Sequence, residues 1–241
     1  MPPRPKGKTV SIRGVENLDG SGTYFAKMAG NIRDWQIKCV CGGVATSCNS
    51  GWMKKIEDQA RPILIPLILG QNLFLTPIQR EIVAVWVALK CMVGEYEDPT
   101  KITTPPEQRA RMYAVQKPPE HGWGIWIGRA ENPSRFTIWS SHSLKIALDK
   151  TLPLDDPSHK FNGHTTTQMI GELFIQVIRF PPIMSAHKWN FRVPVDAKLT
   201  LIWPPVNSIL KWPKPPLSYR EQLALANNLR DFAIETARRR G

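Results

Sequence analysis

The chain has 241 residues, 42% of them hydrophobic and 22% charged, a balance that suits a globular protein with a real core, in one large domain or two small ones. No apolar run is long enough to span a bilayer as a helix; the longest candidate, residues 62–69, falls far short. Net charge is +12, which points to a polyanionic partner, most simply DNA or another nucleic acid, with a solvated basic surface as the plainer alternative.

From the start, residues 1–10 read as a flexible basic leader rich in proline, lysine and arginine. No apolar segment follows its charges, so it does not read as a secretory signal, and the expected location is the cytoplasm. Residues 1–55 hold nine Lys/Arg against three acids, and the tail from Lys211 holds seven against three. Residues 11–38 look irregular, broken by Gly14, Gly20, Gly22 and Gly30, until Trp35, Gln36, Ile37 and Lys38 alternate as a short strand.

Cys39, Cys41 and Cys48 then crowd together with glycine and serine between them, and Asn49, Ser50 and Gly51 lead into a helix expected from about Trp52 to Ala60. Cysteines on a tight turn running into a helix resemble half of a treble-clef zinc knuckle. A structural zinc site takes four ligands, and these cysteines supply at most three, with no histidine before His121. Reduced thiols, a Zn²⁺ site and a redox pair stand as alternatives. Four cysteines in a chain of this size do not make a disulfide framework, and Cys91, in an apolar helical stretch, reads as a small buried hydrophobe.

In the helix after Gly51, Trp52, Ile56 and Ala60 share one face, and Lys54, Lys55 and Asp58 the other. Pro62 and Pro66 interrupt the pattern, leaving residues 63–69 as a connector or kinked continuation that Gly70 ends. A second helix is expected over 77–96, with Thr76 as N-cap, Pro77 at the first position and Gln79 completing a capping box. Its core stripe is Ile78, Ile82, Val85, Trp86, Leu89 and Val93, widened by Val83 and Val87. Thr104 repeats the start signal for a helix over 105–115, with Arg109 and Arg111 exposed.

Pro118 and Pro119 read as a hinge into antiparallel strands between about 122 and 203. These include residues 123–127, residues 135–139, one long strand over 164–180 bent at Gly171, and residues 198–203. Ser218 with Glu221 caps a final helix over 219–238 that ends in Arg238, Arg239 and Arg240. The fold class is α+β: an N-terminal treble-clef or ββα-like remnant, a helical segment, an antiparallel sheet and a C-terminal helix. Residues 1–60 form the basic leader and knuckle, and 61–241 the α+β domain.

The stretch Cys48-Asn49-Ser50-Gly51-Trp52-Met53, with Ile56 and Glu57 after it, resembles the Cys-Asn-x-Gly-Trp-Met motif of bacterial HNH-type endonucleases. Arg61 to Leu64, Val83 to Lys90 and Trp126 to Arg129 are also similar to that group, so the likeness runs loosely from about Lys38 to Trp212. The resemblance implies a ββα-metal module. Cys41 and Cys48, with Cys39 as a further candidate, fall on its zinc-knuckle positions, and Asn49 falls on a metal-ligand position. It also implies hydrolysis of a DNA phosphodiester with Mg²⁺ or Mn²⁺, and structural Zn²⁺.

Two departures qualify the match. The family's upstream Cys-x₂-Cys and its acidic-His step have no counterpart in residues 1–38, and six residues separate Cys41 from Cys48 where the family has two. A start at an internal methionine of a longer gene and a degenerate member that keeps the scaffold without the catalysis are the two explanations. The histidines, His121, His142, His159, His164 and His187, show no metal spacing, and no general base is identified. The alternative function is therefore a catalytically inactive nucleic-acid-binding or protein-interaction protein on the same scaffold. Lys38, Lys54, Lys55, Arg238, Arg239 and Arg240 are the candidate phosphate contacts.

Overall fold

Alternation of apolar residues through the second half of the chain builds a mixed sheet, and helices pack on both of its faces. The computed structural model describes residues 10–16, 23–29, 51–97, 102–131, 139–144, 162–180, 197–205 and 207–227. Within these, α-helices and a largely antiparallel sheet coexist, as the α+β class requires.

The first elements are β1 (Val10–Glu16) and β2 (Thr23–Ala29), an antiparallel pair with Val10 opposite Ala29 and Glu16 opposite Thr23. This corrects the expectation of an irregular stretch over residues 11–38. Gly14 sits inside β1, and Val10, Ile12 and Val15 opposite Ala29, Lys27 and Tyr24 suit paired strands well enough to tolerate it. The expected strand at 35–38 lies outside the described residues.

Helix α1 (Trp52–Ile68) runs straight through Pro62 and Pro66, where the sequence suggested an interruption, and it crosses the boundary expected at residue 60. Each interior proline removes a hydrogen bond and costs roughly 3 kcal/mol. Against that, Ile56, Ala60, Ile63, Leu64 and Leu67 are buried. At about 1.5–3 kcal/mol for each large aliphatic, their burial outweighs both prolines. Pro62 is exposed, so water can satisfy the carbonyl it leaves without a donor.

Helix α2 (Pro77–Gly94) begins as expected. The Thr76 hydroxyl accepts from Gln79 N at 3.2 Å, and Gln79 Oε1 accepts from Thr76 N at 2.9 Å. Its buried face keeps most of the expected stripe but is centred on the Val83 and Val87 side, and Ile78 drops out of it. Ile78 is 73% exposed and Ile82, Trp86 and Val93 are half-buried, whereas Arg80, Val83, Ala84, Val87, Ala88, Cys91 and Met92 are buried with Val85 and Leu89. Arg80 is what hides this face in the sequence. Its guanidinium reaches across to the Ser208 carbonyl at 2.7 Å and the Leu201 carbonyl at 2.8 Å.

A 3₁₀ turn (Glu95–Glu97) follows, and then α3 (Pro106–Val115). Pro105, not Thr104, occupies the N-cap, because the Thr104 hydroxyl donates to Glu95 at 2.8 Å instead. Pro118 and Pro119 are buried, and Trp203 Nε1 donates to the Pro119 carbonyl at 2.9 Å, which ties this segment in place.

The strands are β3 (Leu73–Leu75), β4 (Trp123–Ala130), β5 (Trp139–Leu144), β6 (Gly163–Ile170), β7 (Leu173–Arg179), β8 (Leu199–Trp203), β9 (Leu210–Trp212) and β10 (Pro216–Leu217). The main sheet runs β10-β4-β7-β6-β5, with β8 also paired to β4, and only β10 runs parallel to its neighbour. A small β3–β9 pair stands apart from it. Of the strand expected over 135–139, residues 135–138 lie outside the described residues.

The long bent strand over 164–180 is instead a hairpin. Gly171 takes φ +55° in a two-residue turn, and β6 folds back on β7 with Ile170 opposite Leu173. Glu172 N donates to the Ile68 carbonyl at 2.8 Å, so the turn docks on the end of α1. A Cβ on Gly171 would lie 2.5 Å from that same carbonyl oxygen, so both the backbone angle and the close approach call for glycine.

The two faces of the sheet bury two clusters. Ile125, Ile127, Leu173, Ile175 and Val177 pack against α1 and α2. Trp126, Phe174, Ile178 and Phe180 pack on the opposite face with Leu217 and Leu225. Leu225 belongs to α4 (residues 219–227 as described), where Glu221 Oε2 accepts from Ser218 N at 2.7 Å in the expected capping box.

Candidate functional site

Of the residues singled out from the sequence, Lys38, Cys39, Cys41, Cys48, Asn49 and Arg238 to Arg240 lie outside the described residues. The downstream end of the motif is described. Gly51 is the N-cap of α1 with no side-chain cap, no acid occupies the first turn, and Trp52 and Met53 begin the helix. Trp52 meets the Tyr113 ring edge-on, with centroids 5.4 Å apart, and so ties this helix end to α3. Met53 packs against the main core.

Lys54, Lys55 and Arg61 are exposed on α1. The Lys54 ammonium is 2.8 Å from Asp58 one turn on, so part of its charge is offset locally. That exposed pair contributes little to stability. Farther along, Glu57 pairs with Lys90 of α2.

A second assembly of polar groups, which the sequence reading missed, lies between the sheet and the ends of α2 and α3. Glu95, 5% exposed, accepts from the Thr103 hydroxyl at 2.8 Å, from Thr104 N at 3.1 Å and from the Thr104 hydroxyl at 2.8 Å, and it pairs with Arg109. Arg109 also donates to the Met92 carbonyl at 2.7 Å and stacks over the Tyr96 ring at 4.7 Å. The expectation that Arg109 is exposed is therefore corrected: closing a buried carboxylate outweighs leaving the guanidinium in water. Arg111, which is exposed and pairs with Glu120, fits its expectation.

On the sheet side, the alternation of β6 sends His164 and Thr166 towards α2 and Thr165 and Thr167 away from it. His164 Nε2 lies 2.8 Å from the Thr166 hydroxyl and 3.1 Å from that of Ser141, and Nδ1 lies 3.2 Å from the Ser143 hydroxyl. Burial pushes the His164 pKa down to about 4, with Glu95 opposing and Arg179, His142 and Arg109 adding to the fall. Burial likewise pushes the Cys91 thiol up to about 12; the Thr166 hydroxyl pulls it down and Glu95 adds to the rise. On the other face, Gln176 Nε2 donates to the Thr165 hydroxyl at 2.7 Å and its Oε1 accepts from that of Thr167 at 2.7 Å.

Chemically, His164 is a neutral imidazole held by hydroxyls. A base with so low a pKa draws little on a serine proton at neutral pH, so this network orders the sheet rather than activating a nucleophile. Among the described residues, no three or more His, Cys, Asp or Glu converge on a point that could hold a metal. A polar run on β6 was the only signal in the sequence, and threonine's preference for strands masked it. No family model, no curated protein and no solved structure matches the chain.

Proposed function

We propose that the chain is a nucleic-acid-associated protein of HNH-nuclease descent that engages DNA through the motif at Cys48 to Met53 and the basic residues around it. The observation that carries this reading is the placement of Trp52 and Met53 in the opening turn of α1, where the HNH module also places a helix after its Cys-Asn step. The net charge of +12 and the exposed Lys54, Lys55 and Arg61 support it. The donor chemistry suits the implied ions. Thiolates of Cys41 and Cys48, with Cys39 available, match Zn²⁺, and the Asn49 side-chain oxygen matches a hard ion such as Mg²⁺ or Mn²⁺. Such an ion would stabilise charge developing on a phosphodiester.

The test is cleavage of plasmid DNA by purified protein with Mg²⁺, Mn²⁺ or chelator, alongside Cys48→Ala and Asn49→Ala. Metal-dependent nicking that both substitutions abolish is the expected outcome for an active enzyme. DNA binding without cleavage assigns the inactive binding role. Cleavage that survives both substitutions places the site elsewhere and overturns the motif assignment.

A further inference from the structure

We infer that the outer face of the β3–β9 pair is a stacking platform for an unpaired base of a single-stranded nucleic acid, with Phe74 as the ring and Lys211 as the phosphate contact. The two strands run antiparallel, and Phe74 stands directly opposite Lys211 in register. Their neighbours Leu75, Leu210 and Trp212 are buried in the main core, which holds both strands in place. Strand alternation leaves Phe74 63% exposed, with Lys211 exposed across from it. Residues directly opposite in such a pair have Cβ atoms about 5 Å apart, so the ring and the lysine share one surface. Ile209, two residues before Lys211, is 67% exposed and adds apolar area beside the pair.

Charge selects the partner. Residues 69–80 and 197–217 contain no Asp or Glu. Every acid on α1, α2 and the β6–β7 turn is already paired: Glu57 with Lys90, Asp58 with Lys54, Glu81 with Lys117 and Glu172 with Arg129. Lys211 and Lys214 make no ion pair among the described residues. An exposed ring in a basic, acid-free surround fits a polyanion that itself carries flat rings. Size points the same way. Three residues on each of two strands give a face of roughly 10 by 10 Å, far below the ~800 Å² that a stable protein partner covers, yet enough for one base. In a duplex the base faces are stacked on each other, so only an unpaired strand offers one to Phe74. The inference rests on the nucleic-acid reading for the class of partner and is independent of the motif at Cys48 to Met53.

The experiment is fluorescence anisotropy of the full chain with a short labelled oligothymidylate and with a labelled duplex of the same length. The expected result is single-strand binding that Phe74→Leu weakens about tenfold, because it keeps an apolar side chain but removes the ring. Duplex affinity should not change in that variant, and Phe74→Tyr should keep the single-strand affinity. Lys211→Ala should weaken single-strand binding and make its salt slope shallower by about 0.7. Both side chains are exposed, so the variants should unfold at the wild-type temperature. Duplex binding without single-strand binding, or single-strand affinity that Phe74→Leu leaves intact, would overturn the proposal and leave the nucleic-acid reading standing. Binding to neither would overturn both. Self-association in sedimentation that Phe74→Leu abolishes, with no effect on single-strand binding, would assign the face to a second copy of the chain and overturn the proposal as well.

Discussion

His164 shows how a single side chain can set the response of this fold to acid. In the unfolded chain a histidine takes up a proton near pH 6.5, whereas burial holds the folded group neutral until about pH 4. Protons therefore favour the unfolded chain between those values. The stabilisation is complete above pH 6.5 and is lost as pH falls towards 4. At pH 5 the loss is about 2 kcal/mol if the whole shift is realised. Glu221 acts lower: burial pushes its carboxyl up, but Lys198 and Ser218 outweigh that and leave it below the usual range. Urea midpoints at pH 7 and pH 5 should thus drop for the wild type and drop less for His164→Gln. An equal drop in both would remove His164 as the cause. Cys91, buried beside Thr166 with its thiol pushed up to about 12, should resist alkylation until the fold opens.

Among the elements, α1 carries the sharpest conflict between local preference and packing. Pro62 sits on its exposed side inside a helix whose other side supplies Ile56, Ala60, Ile63, Leu64 and Leu67 to the core. Pro62→Ala restores a main-chain donor without touching that core, so it should stabilise the protein by roughly 1–3 kcal/mol in urea unfolding. Destabilisation would mean that a proline bend is needed to seat the helix. Local chemistry made the helix starts legible: the boxes at Thr76 and Ser218 form as their residues suggest, since capping depends on only four residues. What depends on partners was not legible. The buried face of α2 is disguised by Arg80, whose carbonyl partners lie more than a hundred residues away. The β6–β7 hairpin hides in a run of β-formers because Gly171 serves a tight turn as well as it would serve a bend. The Glu95, Arg109 and His164 cluster comes from three separate elements that no local pattern links.

At the scale of the whole molecule, charge is the property most directly tied to the proposed role. Part of the basic surface is already paired, through Lys54 with Asp58, Arg111 with Glu120 and Lys117 with Glu81, while the chain as a whole keeps +12. A protein that neutralises phosphates releases counterions, so its DNA affinity falls linearly with salt on logarithmic axes, with a slope of about −0.9 per phosphate. The deciding measurement is the dissociation constant of the full chain for a short duplex across a range of salt concentrations. Engagement of several phosphates predicts a slope of about −3 or steeper, made shallower by Lys54→Ala and Lys55→Ala. Absence of binding at about 50 mM salt, or affinity that does not change with salt, would contradict a nucleic-acid role.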